Sequence, residues 1–214
     1  MDLEALYLKL PVSLQNLACS LEGWRINRLR YGSEFFRAKC ASEERSNSWN
    51  QLIDIRTQRL KKTIRLANET SFWSARFKEF GVVPENSNPY DELSKLPILK
   101  KSEIQNNEKD FLLPKKILNT VTKKPLYKKH TSGTTGAGLV FWETVESEAE
   151  RWATWWRYRG THGLSRGTWC GYFGGRSIVP SSQVGGPFWR FNYPSRQLMF
   201  SGYHLSEKTA SLYL

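Results

Sequence analysis

The chain has 214 residues, with 32 Lys and Arg against 20 Asp and Glu, a net charge of +12 and a pI near 9.7; 39% of it is hydrophobic and 14% aromatic, including nine tryptophans. So much bulky apolar material excludes a chain disordered by composition, and no apolar run reaches the ~18 residues that cross a bilayer. Cys19, Cys40 and Cys170 have neither metal-ligand nor disulfide spacing, and the start Met1-Asp2-Leu3-Glu4 lacks the basic segment of a signal peptide, so a soluble cytoplasmic protein is expected.

Two stretches are expected: a mostly helical region over 1–110, then an α/β segment over 111–214. Residues 3–31 alternate apolar clusters with Arg and Lys and are interrupted by Pro11 and Gly23, which predicts one or two short helices. Leu14, Leu17, Leu21 and Trp24 recur at three or four residues. Such a stripe is expected to pack against the rest of the protein, with a membrane-surface helix as the alternative.

Helical period without Gly or Pro predicts a long helix over 50–68. A second, over 72–80, carries an aromatic stripe of Phe72, Trp73, Phe77 and Phe80 and stops at Gly81. Residues 96–99 suggest an extended bend leading into a short helix capped by Ser102.

Between Phe111 and Trp142 lie six lysines (Lys115, Lys116, Lys123, Lys124, Lys128 and Lys129) and no acid. A polyanion is expected there, and a triphosphate qualifies. Short strands at Leu126-Tyr127 and at residues 139–142 flank Thr131-Ser132-Gly133-Thr134-Thr135-Gly136. Its glycines let backbone N–H groups converge on an anion and its hydroxyls add donors. It is not a Walker loop, because it holds no lysine and leads into a strand. Composition alone leaves a plain Ser/Thr/Gly hairpin turn open as the alternative.

A helix follows over 145–159, with Thr144 as cap, acids in its first turn, Arg157 and Arg159 in its last, and Gly160 as terminator. Val145, Ala149, Trp152 and Trp156 form its core stripe. Residues 168–173 suggest a buried strand, after which Gly174-Gly175-Arg176 turns the chain near a ligand; residues 197–200 suggest another strand. Ser206 is placed as the cap of a helix from Glu207, and a chain ending at Leu214 so soon after it suggests truncation.

The segment 130–136 (HTSGTTG) resembles the signature loop of the adenylate-forming (AMP-binding) superfamily. Residues 10–17 (LPVSLQNL), 30–32, 155–159 (WWRYR), 173–180 (FGGRSIVP), 187–192 (PFWRFN) and 203–206 are similar to the phenylacetate-CoA ligase-like group, in particular its CapK branch of capsular polysaccharide loci. The resemblance runs end to end and implies an α/β fold, a mixed sheet with packed helices from the N-terminal part of the large domain. It also implies an ATP-dependent acid–thiol ligase that forms an acyl-adenylate, with magnesium as cofactor and coenzyme A as acceptor.

By the same resemblance, Thr131, Ser132, Gly133, Thr134, Thr135 and Gly136 wrap the β- and γ-phosphates, and His204 beside Tyr203 is a candidate contact to the substrate, a packed and hydrogen-bonded histidine being the alternative; Arg176, after two glycines, is a candidate contact to phosphate or carboxylate, with a surface salt bridge as the alternative. Here Ala137-Gly138-Leu139 stands where many such loops have Pro-Lys-Gly, so Lys128 or Lys129 is the nearest cation. Members are about twice as long. The magnesium-binding, ribose-binding and catalytic residues of the family fall beyond Leu214, so this chain alone is expected to be inactive, to bind no metal and to need the missing C-terminal half. Other readings are a basic nucleic-acid-binding module and an inactive truncated remnant.

Overall fold

A computed structural model describes residues 3–44, 48–131, 138–175 and 177–213. The elements in chain order are α1 (Leu3–Leu8), α2 (Val12–Arg30), α3 (Ser33–Glu44), α4 (Trp49–Asn68), α5 (Ser71–Glu79), α6 (Pro89–Ser94), α7 (Lys101–Asn106) and α8 (Lys115–Val121). Then come β1 (Tyr127–His130), β2 (Val140–Glu143), α9 (Val145–Gly160), β3 (Cys170–Gly174), β4 (Trp189–Asn192) and β5 (Gln197–Ser201), with short 3-10 turns at Glu108–Phe111, Gly202–His204 and Ala210–Tyr213. The chain is therefore an α/β protein, helical at first and strand-bearing after residue 126. Among the described residues no helix is long and apolar enough to cross a membrane.

The chain forms two compact units, one of residues 1–36 with 152–214 and one of residues 37–151. In the second, the core is Ile64, Phe77 and Val82, walled by Leu60, Ala67, Trp73, Phe80 and Leu96. Ser48 and Thr70 cap α4 and α5 by accepting from the Gln51 and Trp73 amides. Gly81, at φ 63°, ends α5 as its position predicts, with the Val82 amide returning to the Phe77 carbonyl at 2.9 Å. α7 begins one residue before the expected cap: Ser102 lies inside it, and Glu103 reaches back to the Lys100 amide at 2.7 Å.

Glu92 is buried at 1% exposure and holds the chain after α5: it accepts from the Val83 amide, from Asn86 Nδ2 and from Lys95 Nζ, all at 2.6–2.8 Å. Lys95, then the Val83 amide, hold its carboxyl below the ordinary 4.5, against the opposing effect of burial. A carboxylate with a depressed folded pKa stabilises above the unfolded value and loses that stabilisation as pH falls through the folded one. Glu103 is lowered as well, so the Glu92 share is read by difference. Glu92→Gln is expected to lower stability at pH 7 and to flatten the loss between about pH 5 and pH 3, measured by urea denaturation across that range. An unchanged acid limb would refute it.

In the first unit a mixed three-stranded sheet has the order β3-β5-β4, with β3 parallel and β4 antiparallel to β5. Its core is Ile178, Val179 and Phe188, joined by Cys19, Met199 and Tyr213. α2 closes the outer edge of β4 with side chains: Asn16 Oδ1 accepts the Phe191 amide at 2.9 Å, Ser20 Oγ donates to Phe191 O and accepts the Tyr193 amide, and Asn27 Nδ2 donates to Pro194 O. Edge backbone groups are thus satisfied by a helix.

Gly23 does not break α2, contrary to expectation. It is buried where the helix crosses β4, and a Cβ there would lie 1.9 Å from Asn192 Oδ1. Asn192 is itself held, since its Oδ1 accepts the Ser195 amide and its Nδ2 donates to Gln197. Gly23→Ala should therefore destabilise by about 1–2 kcal/mol although alanine is the better helix former; a higher unfolding midpoint in the variant would contradict this.

Three further expectations are corrected. The Leu14, Leu17, Leu21 and Trp24 stripe is exposed at 45–59%, because α2 turns its polar face to the sheet. The strand at 168–173 is not buried: Trp169, Tyr172 and Phe173 are 43–57% exposed on an edge strand. Residues 207–209 form a turn with the Ala210 amide on Ser206 O, followed by a 3-10 helix, in place of an α-helix from Glu207. For α9, Thr144 caps as expected, accepting the Ser147 amide at 3.0 Å. The residue of positive φ beyond its end is Gly163 (73°), where the Leu164 amide meets Arg159 O and the Gly163 amide meets Gly160 O.

Candidate functional site

The antiparallel hairpin β1–β2 pairs Tyr127 with Glu143 through His130 with Val140, so strand, loop and strand follow in the order expected. Ser132, Gly133, Thr134, Thr135 and Gly136 lie outside the described residues, as does Arg176. The two ends of the loop are described, and they are joined. The Thr131 amide donates to Leu139 O at 3.0 Å, and Thr131 Oγ1 accepts the Leu139 amide at 2.8 Å. Thr131 Oγ1 thus helps to close the loop as an acceptor, and its proton remains a donor. Gly138 sits so close that a Cβ would fall 2.3 Å from Thr131 O, and its carbonyl accepts Gln105 Nε2 at 3.4 Å.

Alternation along β1 sends Lys128 and Lys129 to opposite faces. Lys129 Nζ lies 3.2 Å from Glu148 and 3.8 Å from Glu143, which Arg151 also approaches at 3.4 Å. Thr122 Oγ1 donates to Glu146 at 3.0 Å. These contacts join the hairpin and the end of α8 to the first two turns of α9. Lys128 Nζ stands over the Trp142 ring at 5.7 Å and 3.9 Å from Glu108. The lysine run that is free of acids in sequence therefore meets three carboxylates in space. Half-exposed pairs of this kind contribute ~0–1 kcal/mol each, so they orient the lysines more than they stabilise the fold. Sequence reading missed Glu108, Glu143 and Glu148, whose only local signal was their place just outside the lysine run.

Tyr203 and His204 belong to the first unit, in the 3-10 turn after β5. Tyr203 is 73% exposed. His204 stacks on Phe188 with centroids 4.8 Å apart, and its Nδ1 is 2.8 Å from Ser201 Oγ. Its Nε2 is buried and has no hydrogen-bond partner among the described residues. The ring is positioned by packing on Phe188 and by Ser201.

Several stretches that carried the family resemblance converge on a buried arginine. Arg190, 1% exposed, donates Nε to Gln15 Oε1 at 2.5 Å, Nη1 to Pro187 O and Trp189 O, and Nη2 to Gln183 Oε1. Gln15 in turn donates to Tyr7 O and Leu8 O, and Tyr7 Oη donates to Ile178 O at 2.8 Å. Burial lowers the guanidinium pKa and raises those of Tyr7 and Cys19, which favours the thiol form of Cys19. The LPVSLQNL and PFWRFN stretches are therefore largely architectural: each supplies one side of this network.

Among the described residues no group of three or more His, Cys, Asp or Glu side chains could hold a metal ion. The described side chains thus do not fit a magnesium site.

No family model matches the chain, and no solved structure matches it. It is similar to Protein CapK of Staphylococcus aureus, with 28% identity over 213 residues, which covers 99% of this chain and 45% of that protein. The chain thus spans about half the length of this relative, and the resemblance covers 99% of the chain.

Proposed function

We propose that the chain is the phosphate-binding N-terminal portion of an ATP-dependent ligase that activates a carboxylic acid as its acyl-adenylate, in the manner of the phenylacetate-CoA ligase-like group, and that it serves capsular polysaccharide synthesis. The observation that carries this reading is the joined base of the loop, Thr131 to Leu139, beneath the segment that resembles the superfamily signature. Similarity to Protein CapK over 99% of the chain supports it.

Chemically, a carboxylate oxygen attacks the α-phosphorus in line, the bond to the β-phosphate oxygen breaks, and pyrophosphate leaves. Ser132, Gly133, Thr134, Thr135 and Gly136, with Thr131 as their anchor, hold the β- and γ-phosphates; bonds to charged oxygens contribute ~1.5–3 kcal/mol each, so a few suffice without a loop lysine. Arg176, Tyr203 and His204 are the candidate contacts to the substrate. Magnesium would neutralise phosphate charge, with protein ligands that the family resemblance puts beyond Leu214. Coenzyme A is the acceptor of the acyl group.

The test is titration calorimetry of the chain with ATP and with pyrophosphate, paired with acid-dependent pyrophosphate exchange. Binding is expected, weakened about tenfold by Thr134→Ala with Thr135→Ala. Exchange is expected from a protein that joins this chain to the remainder of a CapK-length enzyme, and not from these 214 residues alone. Nucleotide affinity indifferent to the loop, or turnover by the chain alone, would sink the proposal.

A further inference from the structure

α2 is mounted with its polar side inward. Asn16, Ser20 and Asn27 bond the edge of β4, Gln15 bonds Arg190, and Gly23 crosses Asn192 in contact. These bonds hold the helix in one rotation, so its leucines cannot turn into the core. At 3.6 residues per turn Leu14, Leu17, Leu21, Trp24, Arg25 and Arg28 share one outward sector of about 120°. The four apolar members are 45%, 53%, 59% and 53% exposed. The sector is graded along the axis: leucines occupy its first turns, and Trp24 with the two arginines its last. Arg28 lies over the Trp24 ring at 5.1 Å, and Arg25 is bidentate to Glu22 beside the sector.

We propose that this face of α2 lies on an anionic lipid surface, as an in-plane interfacial helix. A lipid interface accepts this combination on one face: leucines enter the acyl boundary, a tryptophan sits at headgroup depth, and arginines reach lipid phosphates. Burial in a protein core would instead desolvate Arg25 and Arg28 together with the leucines. The unit that carries the helix is also basic by composition, with eleven Lys and Arg against five Asp and Glu in residues 1–36 and 152–214, buried Arg190 included. At 19 residues, with Glu22, Arg25, Arg28 and Arg30 in its second half, α2 lies on the surface and is not long and apolar enough to span it.

The test is flotation of the full chain with vesicles of phosphatidylcholine, alone or mixed with phosphatidylglycerol, at low and high salt. Binding is expected to the mixed vesicles, little to the neutral ones, and less as salt rises. Leu17→Gln with Leu21→Gln is expected to lower the partition about tenfold or more, and Arg25→Gln with Arg28→Gln about tenfold. Both pairs are exposed, so thermal unfolding should stay close to that of the parent chain. Three results overturn the proposal: no partition into anionic vesicles, a partition that the leucine variant leaves intact, or self-association in gel filtration that the leucine variant abolishes while no lipid is bound. The last would assign the face to a second copy.

Discussion

Arg190→Leu is expected to lower the stability of the unit formed by residues 1–36 and 152–214 by about 3–5 kcal/mol, enough to leave a marginal unit largely unfolded. The guanidinium binds two side-chain amide oxygens and two backbone carbonyls, none of them a carboxylate. Leucine leaves those four oxygens buried with fewer donors, at ~1–3 kcal/mol each before any water enters. It also frees Gln15, which lies 1% exposed and links α1 to the sheet through Tyr7 O and Leu8 O. Arg190→Lys is not a conservative rescue, because an ammonium lacks the planar fork that reaches Gln15 on one side and Gln183 on the other. Urea denaturation followed by tryptophan fluorescence checks both variants. A loss under 1 kcal/mol for leucine would show that the network only fills space.

Gly138→Ala is expected to cost at least tenfold in affinity for ATP and pyrophosphate, about 1.4 kcal/mol, while residues 37–151 remain folded. The obstacle to the new methyl group is backbone, Thr131 O at 2.3 Å, and it has no rotamer through which to withdraw. The strands must part at the base, which breaks the Thr131 amide bond to Leu139 O and the Leu139 amide bond to Thr131 Oγ1. Both ends of the proposed phosphate loop then lose their fixed spacing, and with it the preorganisation that lets several weak donors act on one anion. Thr131→Val removes only the second bond and should cost ~0.5–1.5 kcal/mol. Hydrogen exchange at the Thr131 and Leu139 amides reads the opening directly. Fast exchange with unchanged nucleotide affinity would separate the hairpin from phosphate binding and refute the loop's role.

Where a feature depended on neighbours in sequence, it was legible. Period and caps located α4, α5 and α9; Thr144 and Gly81 act where their positions say. β1 and β2 flank the Thr/Ser/Gly segment, and β5 stands where an apolar run predicted it. β4 went unrecognised because Trp189-Arg190-Phe191-Asn192 buries its polar members: Arg190 and Asn192 are 1% and 6% exposed, the reverse of the alternation that marks a half-buried strand. The candidate site was legible as a motif, and its surroundings were not. No local signal pairs Lys129 with Glu148, or tells that Thr131 Oγ1 is committed to Leu139.

The amino-acid order by itself determined the helices of residues 49–79, the strand–loop–strand arrangement about Thr131–Gly136 and the likeness to the CapK branch, because capping, period and turn chemistry act within a few residues. Tertiary structure alone decided which way α2 faces. Its leucines spell a core stripe by period, but Asn16 and Gln15 meet Phe191 and Arg190, each 175 residues away along the chain. Hydrogen bonds to an otherwise open strand edge hold the polar face inward, and the apolar face is left to the outside.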